Sequence, residues 1–244
     1  CCSTGPWPGF CATSSVQYTA PGWKQVNGHS GTADHFHGVW TQYSSTSAGV
    51  PTNNMGKQFA ATGVSYGGVF LHSTIAEARE YIQASLTAPL VAGQLYEVSI
   101  KLSLAERSAF QLKDYQAYFS NTQLTCNSCG FGALSVTPQV NFNPLLNTYT
   151  NWYTLTGTYT ATGGEQFVTF GNFKSYAAST YTAMPVSAIK DTVLASSANY
   201  MYTYIDDAVV QPLIPLSTEL IYFKSTCSNE ELQFNWTVSQ LINC

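Results

Sequence analysis

The residues best suited to chemistry are two adjacent acids in the last fifth of the chain. Asp206 and Asp207 follow Tyr200, Tyr202 and Tyr204 in a segment with the alternating pattern of a strand. Adjacent acids in such a strand are costly unless they are paired, hydrogen-bonded or bound to a cation. Two hypotheses follow. Either the acids hold a cation, or one faces water while the other accepts hydrogen bonds from backbone or tyrosine groups.

Two further patterns are typical of metal or redox chemistry. His35 and His37 would share a face of a strand, but no third zinc ligand lies nearby in the sequence, so zinc is the minor alternative. Cys126 and Cys129 form a C-x-x-C pair. The βαβ pattern that accompanies a redox motif is missing, and no second pair has the spacing of a zinc site. We therefore predict a small loop disulfide.

The cysteines as a set indicate an oxidising, extracellular compartment with several disulfides. There are seven of them, an odd number, so at least one is free or is bonded outside this segment. The disulfide candidates are Cys1, Cys2, Cys11, Cys126, Cys129, Cys227 and Cys244.

Catalytic motifs are missing from the sequence. The acids are scattered without the facing pair that glycoside hydrolysis requires, and no nucleophile elbow, zinc-protease motif or phosphate loop occurs. We therefore predict that the chain is not an enzyme and requires no cofactor. Aromatic rings could stack on sugars, and the candidate glycan platform is Trp7, Trp23, Trp40 and Tyr43. The alternative is that these rings fill the core.

Composition narrows the class of protein and its partners. The chain has 244 residues, enough to bury a core, and only 9% of them are charged. The net charge is −4 and no basic cluster occurs, so nucleic acid is not an expected partner. No apolar run approaches the roughly 20 residues that span a bilayer.

Hydrophobic alternation predicts an all-β protein. Residues 95–104 alternate strictly between apolar and polar types, which is typical of a strand with one buried face. Gly, Pro and Asn separate it from other short strand-like segments, a pattern that predicts an antiparallel sandwich. Local propensity slightly favours a helix over residues 75–86. The other predicted strands are 64–71, 115–119, 152–160, 166–173, 200–210, 219–224 and 232–238.

Several sequence blocks occur together over about residues 7–210: GTADHF, VPTNNMGKQ, SYGGVF, REYIQASLTAPL, LYEVSIKLSLA, GGEQFVTFGNF and the YIDDAV stretch. Their order and spacing resemble a jelly-roll module of large secreted surface proteins, some associated with gliding motility or adhesion, from bacteria that use type IX secretion. The resemblance implies that residues 79–90 are extended, and we predict a strand there against local propensity.

The resemblance also bears on the acids and on the beginning of the domain. Jelly-roll modules of similar type hold a structural calcium near an acidic strand end, so a calcium site is the predicted cation site. Calcium requires about six to eight oxygens. Its predicted side-chain ligands are Asp206, Asp207 and Asp34. The family pattern starts with a strand before Cys1, so the sandwich is expected to lack its first strand.

The last segment is similar to the opening of the immunoglobulin-like segment that precedes a type IX sorting signal. We therefore predict a jelly-roll sandwich over residues 1–211, then a linker and an incomplete immunoglobulin-like strand pair over 212–244. Burying each large apolar side chain of this pair contributes about 1.5–3 kcal/mol, and a lone hairpin is not stable in water. The pair could fold back, begin a missing domain, or lie on another copy.

We favour the third destination, a head-to-tail contact by strand addition that would build a filament. The predicted assembly residues are Leu220, Phe223, Leu232, Phe234, Trp236 and Val238. The predicted function is a non-enzymatic, secreted cell-surface protein with a structural or adhesive role. Its predicted partners are copies of itself and a surface glycan. The alternative is a carbohydrate-binding module of a larger secreted protein.

Overall fold

The computed structural model describes residues 22–26, 28–31, 33–38, 48–74, 77–126, 128–144, 146–184, 200–213, 218–228 and 231–240. The chain divides into two compact units, Cys1–Pro212 and Leu213–Cys244. The first unit contains a β-sandwich, and the second contains a β-hairpin.

The described residues of the first unit form fourteen strands and a short 3-10 helix, Tyr176–Ala178. The strands are β1 (Trp23–Gln25), β2 (Asp34–His37), β3 (Thr52–Asn53), β4 (Gly56–Lys57), β5 (Ser65–Ser73), β6 (Ile82–Ser85), β7 (Leu95–Leu104), β8 (Phe110–Leu112), β9 (Gln116–Ser120), β10 (Val140–Asn141), β11 (Tyr153–Thr160), β12 (Phe167–Gly171), β13 (Tyr181–Ala183) and β14 (Tyr200–Pro212).

Two five-stranded antiparallel sheets make the sandwich. The first sheet has the order β1-β6-β12-β9-β10, and the second sheet has the order β11-β7-β14-β5-β2. Successive long strands from β5 to β14 alternate between the two sheets, which is the connectivity of a jelly roll. Two small ribbons, β3-β4 and β8-β13, accompany the sheets. The prediction of an all-β antiparallel jelly-roll sandwich followed by a two-stranded extension is confirmed.

Alternation along β7 explains how the core forms. Its even-numbered residues from Tyr96 to Leu104 are buried, while Glu97, Ser99 and Lys101 are only half-buried. Because side chains of a strand alternate between its faces, the apolar set meets the first sheet across the sandwich. The central core includes Val69, Ile82, Phe119, Val168 and Ile205 from strands of both sheets.

The extended conformation predicted for residues 79–90 is present as strand β6, which lies between β1 and β12. Tyr81 and Ile82 are buried, and the Tyr81 hydroxyl donates a 2.7 Å hydrogen bond to the carbonyl of Asn172. Packing and ladder hydrogen bonds in the sheet thus override the local preference for a helix.

An aromatic layer covers the opposite face of the second sheet. It consists of Phe36, Tyr66, Phe70, Tyr200, Tyr202 and Tyr204. The β3-β4 ribbon closes over this layer, because Asn53 accepts a hydrogen bond from the Tyr204 hydroxyl and donates one to the Tyr66 hydroxyl, both 2.9 Å. Burial raises the pKa of Tyr204 well above its ordinary value. The layer makes the second sheet buried on both faces at its β14-β5 centre.

The second unit contains β15 (Thr218–Ser228) and β16 (Glu231–Gln240), which pair with each other in an antiparallel sheet of two strands. The register runs from Thr218 opposite Gln240 to Ser228 opposite Glu231, with one shift between Leu220 and Tyr222.

Candidate functional site

The β15-β16 hairpin presents aromatic rings to solvent. The rings of Phe223 and Phe234 stack with centroids 6.0 Å apart, and these residues are 59% and 50% exposed. Within the described part of the chain, β15 and β16 have no strand partner other than each other. The hairpin therefore combines unpaired strand edges with an exposed pair of rings.

All six predicted assembly residues lie in these two strands. Phe223 stands opposite Trp236 and Leu220 stands opposite Val238, while Leu232 and Phe234 face Cys227 and Ser225. Only the side chains of Phe223 and Phe234 are among those described. Their role in assembly stays a prediction, and the exposure of both rings is the feature on which it rests.

Asp206 and Asp207 accept hydrogen bonds from a neighbouring loop. Asp206 accepts from the amides of Ala61 (2.9 Å) and Thr62 (3.2 Å) through Oδ2. Asp207 forms a 2.7 Å ion pair with Lys101 and accepts a hydrogen bond from the Thr62 hydroxyl. Burial raises the pKa of Asp206. For Asp207, burial is outweighed by the bonds from Lys101 and Thr62, which lower its pKa.

Asp34 belongs to a different environment. Its carboxylate accepts a 2.6 Å hydrogen bond from the Tyr202 hydroxyl on the aromatic layer, and burial raises its pKa to about 6 despite that bond. Among the described residues, no group of three or more His, Cys, Asp or Glu side chains is arranged to hold a metal ion. Calcium at Asp206 and Asp207 stays a proposal, without support for Asp34 as a third ligand.

The histidine pair lies on β2. The rings of His35 and His37 are 5.9 Å apart, and burial together with the charge of His37 lowers the pKa of His35 to about 4. No third metal-ligating side chain joins them in the part of the chain that the structure describes.

The cysteines are described in part. Cys126 and Cys129 form a disulfide in the loop after β9, beside a small cluster that includes Tyr81 and Leu134. Cys227 lies on β15, where only the backbone is described. Outside the described residues lie Cys1, Cys2, Cys11 and Cys244.

The predicted glycan platform is represented by one residue. Trp23 is half-buried against the core, with its ring 6.2 Å from that of Phe170, which is the alternative role of a core-filling ring. Outside the described residues lie Trp7, Trp40 and Tyr43.

A polar cluster that sequence reasoning missed lies where β5 ends. We call it the His72 cluster, formed by His72, Arg79, Tyr176 and Tyr181. The His72 ring lies 5.5 Å from the parallel ring of Tyr176 and 4.3 Å from that of Tyr181. His72 is fully buried, and its ring nitrogens have no hydrogen-bond partner among the described residues. Burial and the charge of Arg79 lower the pKa of His72 to about 4, so its ring is neutral at pH 7.

Arg79 ties this cluster to the loop before β13. Its guanidinium is fully buried and donates to the carbonyl of Lys174 (3.3 Å) and the hydroxyl of Ser179 (3.2 Å), while Glu77 lies 3.7 Å away. Tyr176 and Tyr181 are 36% and 37% exposed, so part of each ring remains accessible to a ligand. The one signal in the sequence was an arginine at the beginning of the segment 79–90, which was predicted to be a strand.

Comparisons with models of protein families and with curated protein sequences gave no match. Among the described residues, no helix is long and apolar enough to span a membrane.

Solved structures with some likeness to the chain include two cyclases and an adhesin domain. A cyclase from Fischerella sp. TAU, in complex with 4-(1H-indol-3-yl)butan-2-one, is 12% identical over 80% of this chain and 88% of its own, with a TM-score of 0.46. A Stig cyclase from the same organism, in complex with an indole compound, is 12% identical over 79% of this chain and 90% of its own, with a TM-score of 0.41. The adhesin domain of Lys-gingipain from Porphyromonas gingivalis is 11% identical over 79% of this chain and 92% of its own, with a TM-score of 0.39.

The two cyclases contradict the prediction that the chain is not an enzyme. That prediction rested on the absence of a few known motifs, which does not exclude catalysis by other residues, and it is withdrawn. With all three TM-scores below 0.5, no activity, ligand or partner is transferred from these structures to this chain.

Proposed function

We propose that the chain is a secreted cell-surface protein with a structural or adhesive role, and that copies associate through the β15-β16 hairpin. The observation that carries this proposal is the exposure of the stacked Phe223 and Phe234 rings on a two-stranded sheet. Exposed apolar groups that share one surface mark interaction sites more often than single exposed residues do.

The energetics favour a partner for this hairpin. A two-stranded hairpin is at best marginally stable in water and gains stability by packing against a further surface. Fully burying a Phe side chain contributes about 1.5–3 kcal/mol. Because both rings are about half exposed, covering them would contribute about 2–3 kcal/mol in total. That amount corresponds to a change in affinity of about 30–150-fold.

Two observations support an extracellular location. The Cys126–Cys129 disulfide is typical of an oxidising compartment. The sequence blocks given above resemble those of secreted surface modules, and the jelly-roll connectivity is the one that this resemblance implies.

The test compares the oligomeric state of the full chain with that of a variant carrying Phe223→Ser and Phe234→Ser. We expect the wild type to associate with increasing concentration in light scattering after size-exclusion chromatography. We expect the variant to reach half-association only at a concentration at least tenfold higher than the wild type requires. Phe59→Ser is the matched control, because Phe59 is a 66% exposed ring on the first unit.

Three results would count against the proposal. The wild type could remain monomeric at all concentrations, the double variant could associate as the wild type does, or Phe59→Ser could weaken association equally. Negative-stain microscopy of the wild type distinguishes filaments, which a head-to-tail contact produces, from closed dimers.

A second candidate function, carbohydrate binding, is favoured by the His72 cluster. The accessible parts of Tyr176 and Tyr181 offer flat apolar surfaces of the kind that stack on sugar rings. Lys174, two residues before Tyr176 in the chain, has a 38% exposed side chain whose ammonium forms a 2.7 Å ion pair with the buried Asp114, so it could add one polar contact. A pull-down with insoluble polysaccharides tests this function: Tyr181→Ala is expected to reduce binding at least tenfold. Equal binding by wild type and variant would argue against it.

A further inference from the structure

The edges of the two sheets differ in how they are protected. The first sheet ends at β1 and β10, strands of three and two residues. The second sheet ends at β2, a strand of four residues that begins with Asp34, and at β11. Short strands and charged residues are the usual means by which proteins prevent edge-to-edge pairing. Three of the four edges are therefore protected.

The fourth edge, β11, has neither protection. It is eight residues long, has the sequence YTLTGTYT without a charged residue or proline, and pairs with β7 in an unbroken register. Val140 lies against the position of Gly157 on the face toward the core, so β10 covers that face, and among the described strands only β7 pairs with β11. No described residue outside β7 makes a hydrogen bond to the backbone of β11.

The outward-pointing amides of β11 can be identified. The amide of Ala161 donates to the carbonyl of Gln94, the pair that continues the register of β11 with β7. Hydrogen-bonded and non-hydrogen-bonded pairs alternate along an antiparallel ladder. The amides that point away from β7 are consequently those of Thr154, Thr156, Thr158 and Thr160. The ladder on the other side of β7 agrees, since the amide of the odd-numbered residue Ala105, directly after β7, donates to the carbonyl of Tyr202 on β14.

We propose that the β11 edge is the acceptor for strand β16 of a second copy. This inference rests on the proposed function and names the surface that receives the hairpin. The strands match in length, with eight residues in β11 and ten in β16. They also match in charge, because β16 contains no charged residue after Glu231 at its first position. Two copies that each carry a net charge of −4 repel one another, and an uncharged edge on both sides avoids adding to that repulsion.

The alternation of the two strands is compatible with this pairing. Thr154, Thr156, Thr158 and Thr160 of β11 are exposed, while Tyr153, Leu155, Gly157 and Tyr159 are half-buried or buried. The sequence of β16 alternates in the same way, with LQFNWTVSQ over residues 232–240. In one of the two possible registers, apolar residues of β16 adjoin the inner face of β11, and polar residues adjoin the threonines.

The deciding variant is Thr156→Pro in the full chain. Proline has no N–H to donate toward an added strand, and its ring obstructs that strand. The hydrogen bonds between β11 and β7 do not use the amide of residue 156, so the ladder is kept. The control is Thr156→Val, which retains the amide and the β-branched shape. We expect Thr156→Pro to raise the concentration for half-association at least tenfold, and Thr156→Val to leave it within about twofold.

Hydrogen exchange supplies an independent readout. In the wild type, the amides of Thr154, Thr156 and Thr158 are expected to become protected only at concentrations at which copies associate. Protection that is the same at all concentrations would show that another part of the same chain covers β11, and would overturn the inference. If Thr156→Pro fails to fold, the double variant Thr154→Lys and Thr158→Lys replaces it, because edge lysines block strand addition while the β7 ladder is kept.

The outcomes separate the two proposals. If the wild type does not associate, the proposed function fails. If it associates, and the Phe223→Ser and Phe234→Ser variant does not while Thr156→Pro does, the hairpin is the donor and β11 is not the acceptor. Only that result, or concentration-independent protection, overturns the inference while the proposed function stands.

Discussion

Glu165 offers a measurable test of how the end of the β11 edge is held. Its side chain is 2% exposed and lies after a turn at Gly163 and Gly164, whose φ values of 103° and 87° are in the region that favours glycine. Oε1 accepts hydrogen bonds from the Tyr159 hydroxyl and from the amide (2.8 Å) and hydroxyl (2.7 Å) of Thr162. Oε2 accepts from the Gly163 amide at 3.0 Å. A single carboxylate thus joins Tyr159, near the end of β11, to the turn that follows this strand.

The pKa of Glu165 determines how much its carboxylate contributes to folding stability. Burial by itself raises this pKa, but the hydrogen bonds from Tyr159 and Thr162 outweigh it and lower the pKa from 4.5 to about 2. A pKa that far below its unfolded value corresponds to about 3 kcal/mol of folding stability. Because the folded pKa is the lower one, this stability is fully present above pH 4.5 and is lost as the pH falls toward 2.

We expect Glu165→Gln to lower the free energy of unfolding by about 3 kcal/mol at pH 7, since the amide nitrogen cannot accept a hydrogen bond. The difference from wild type should narrow by about 1 kcal/mol at pH 3.5, where the wild type has begun to lose the contribution of the carboxylate. Urea unfolding followed by tryptophan fluorescence and by circular dichroism at both pH values measures this difference.

The control for this experiment is Glu97→Gln. Glu97 accepts one exposed hydrogen bond, from Gln211 at 3.0 Å. A surface substitution of this kind is expected to change the free energy of unfolding by less than about 0.5 kcal/mol. The reasoning would be refuted if Glu165→Gln cost less than about 1 kcal/mol at pH 7, or if its cost were the same at pH 7 and pH 3.5.

Three further predictions concern the interior of the first unit. Arg79→Met is expected to lower the free energy of unfolding by about 2–4 kcal/mol, because the buried guanidinium donates hydrogen bonds to Lys174 and Ser179. Equal urea midpoints for variant and wild type would contradict this role. His72→Phe is expected to reduce the fall in Tm between pH 7 and pH 4.5. Because the pKa of His72 is lowered from 6.5 to about 4, the wild type loses about 2 kcal/mol of its free energy of unfolding over that range. An unchanged pH dependence of Tm would exclude His72 as its source. Gly68→Ala is expected to lower the free energy of unfolding by about 1–3 kcal/mol, because its Cβ would lie 2.2 Å from the Tyr202 hydroxyl and 2.7 Å from the Phe36 ring. A Tm equal to that of the wild type would show that the aromatic layer moves to accommodate the methyl group.

Much of the sandwich could be predicted because apolar and polar residues alternate along its strands, with the apolar residues on the buried face. Residues 95–104 and 153–160 alternate clearly and form strands of the sandwich, and residues 231–240 do so in the hairpin. Strand β6 is different. Its local propensity favours a helix, and only the ladders with β1 and β12 make it extended, so its prediction depended on the family resemblance.

The sites were predicted less well than the strands. Asp206 and Asp207 were found from their cost in a strand, and the structure places hydrogen-bond donors beside both. The His72 cluster was missed because Arg79 contacts Lys174 and Ser179, which lie about 100 positions away in the sequence. For Trp23 the sequence leaves open a glycan platform or a core-filling ring, and the fold places its ring 6.2 Å from that of Phe170, in the second of these roles.

By itself, the sequence determined the all-β class, the alternation of the principal strands and the apolar character of the last two, because these properties depend on neighbours two residues apart. Only the tertiary structure decided which edges are open, which carboxylates are hydrogen-bonded and which rings remain exposed. Those properties arise where segments distant in sequence pack together: among the described strands, β11 has β7 as its only neighbour because of the order in which the strands join the second sheet.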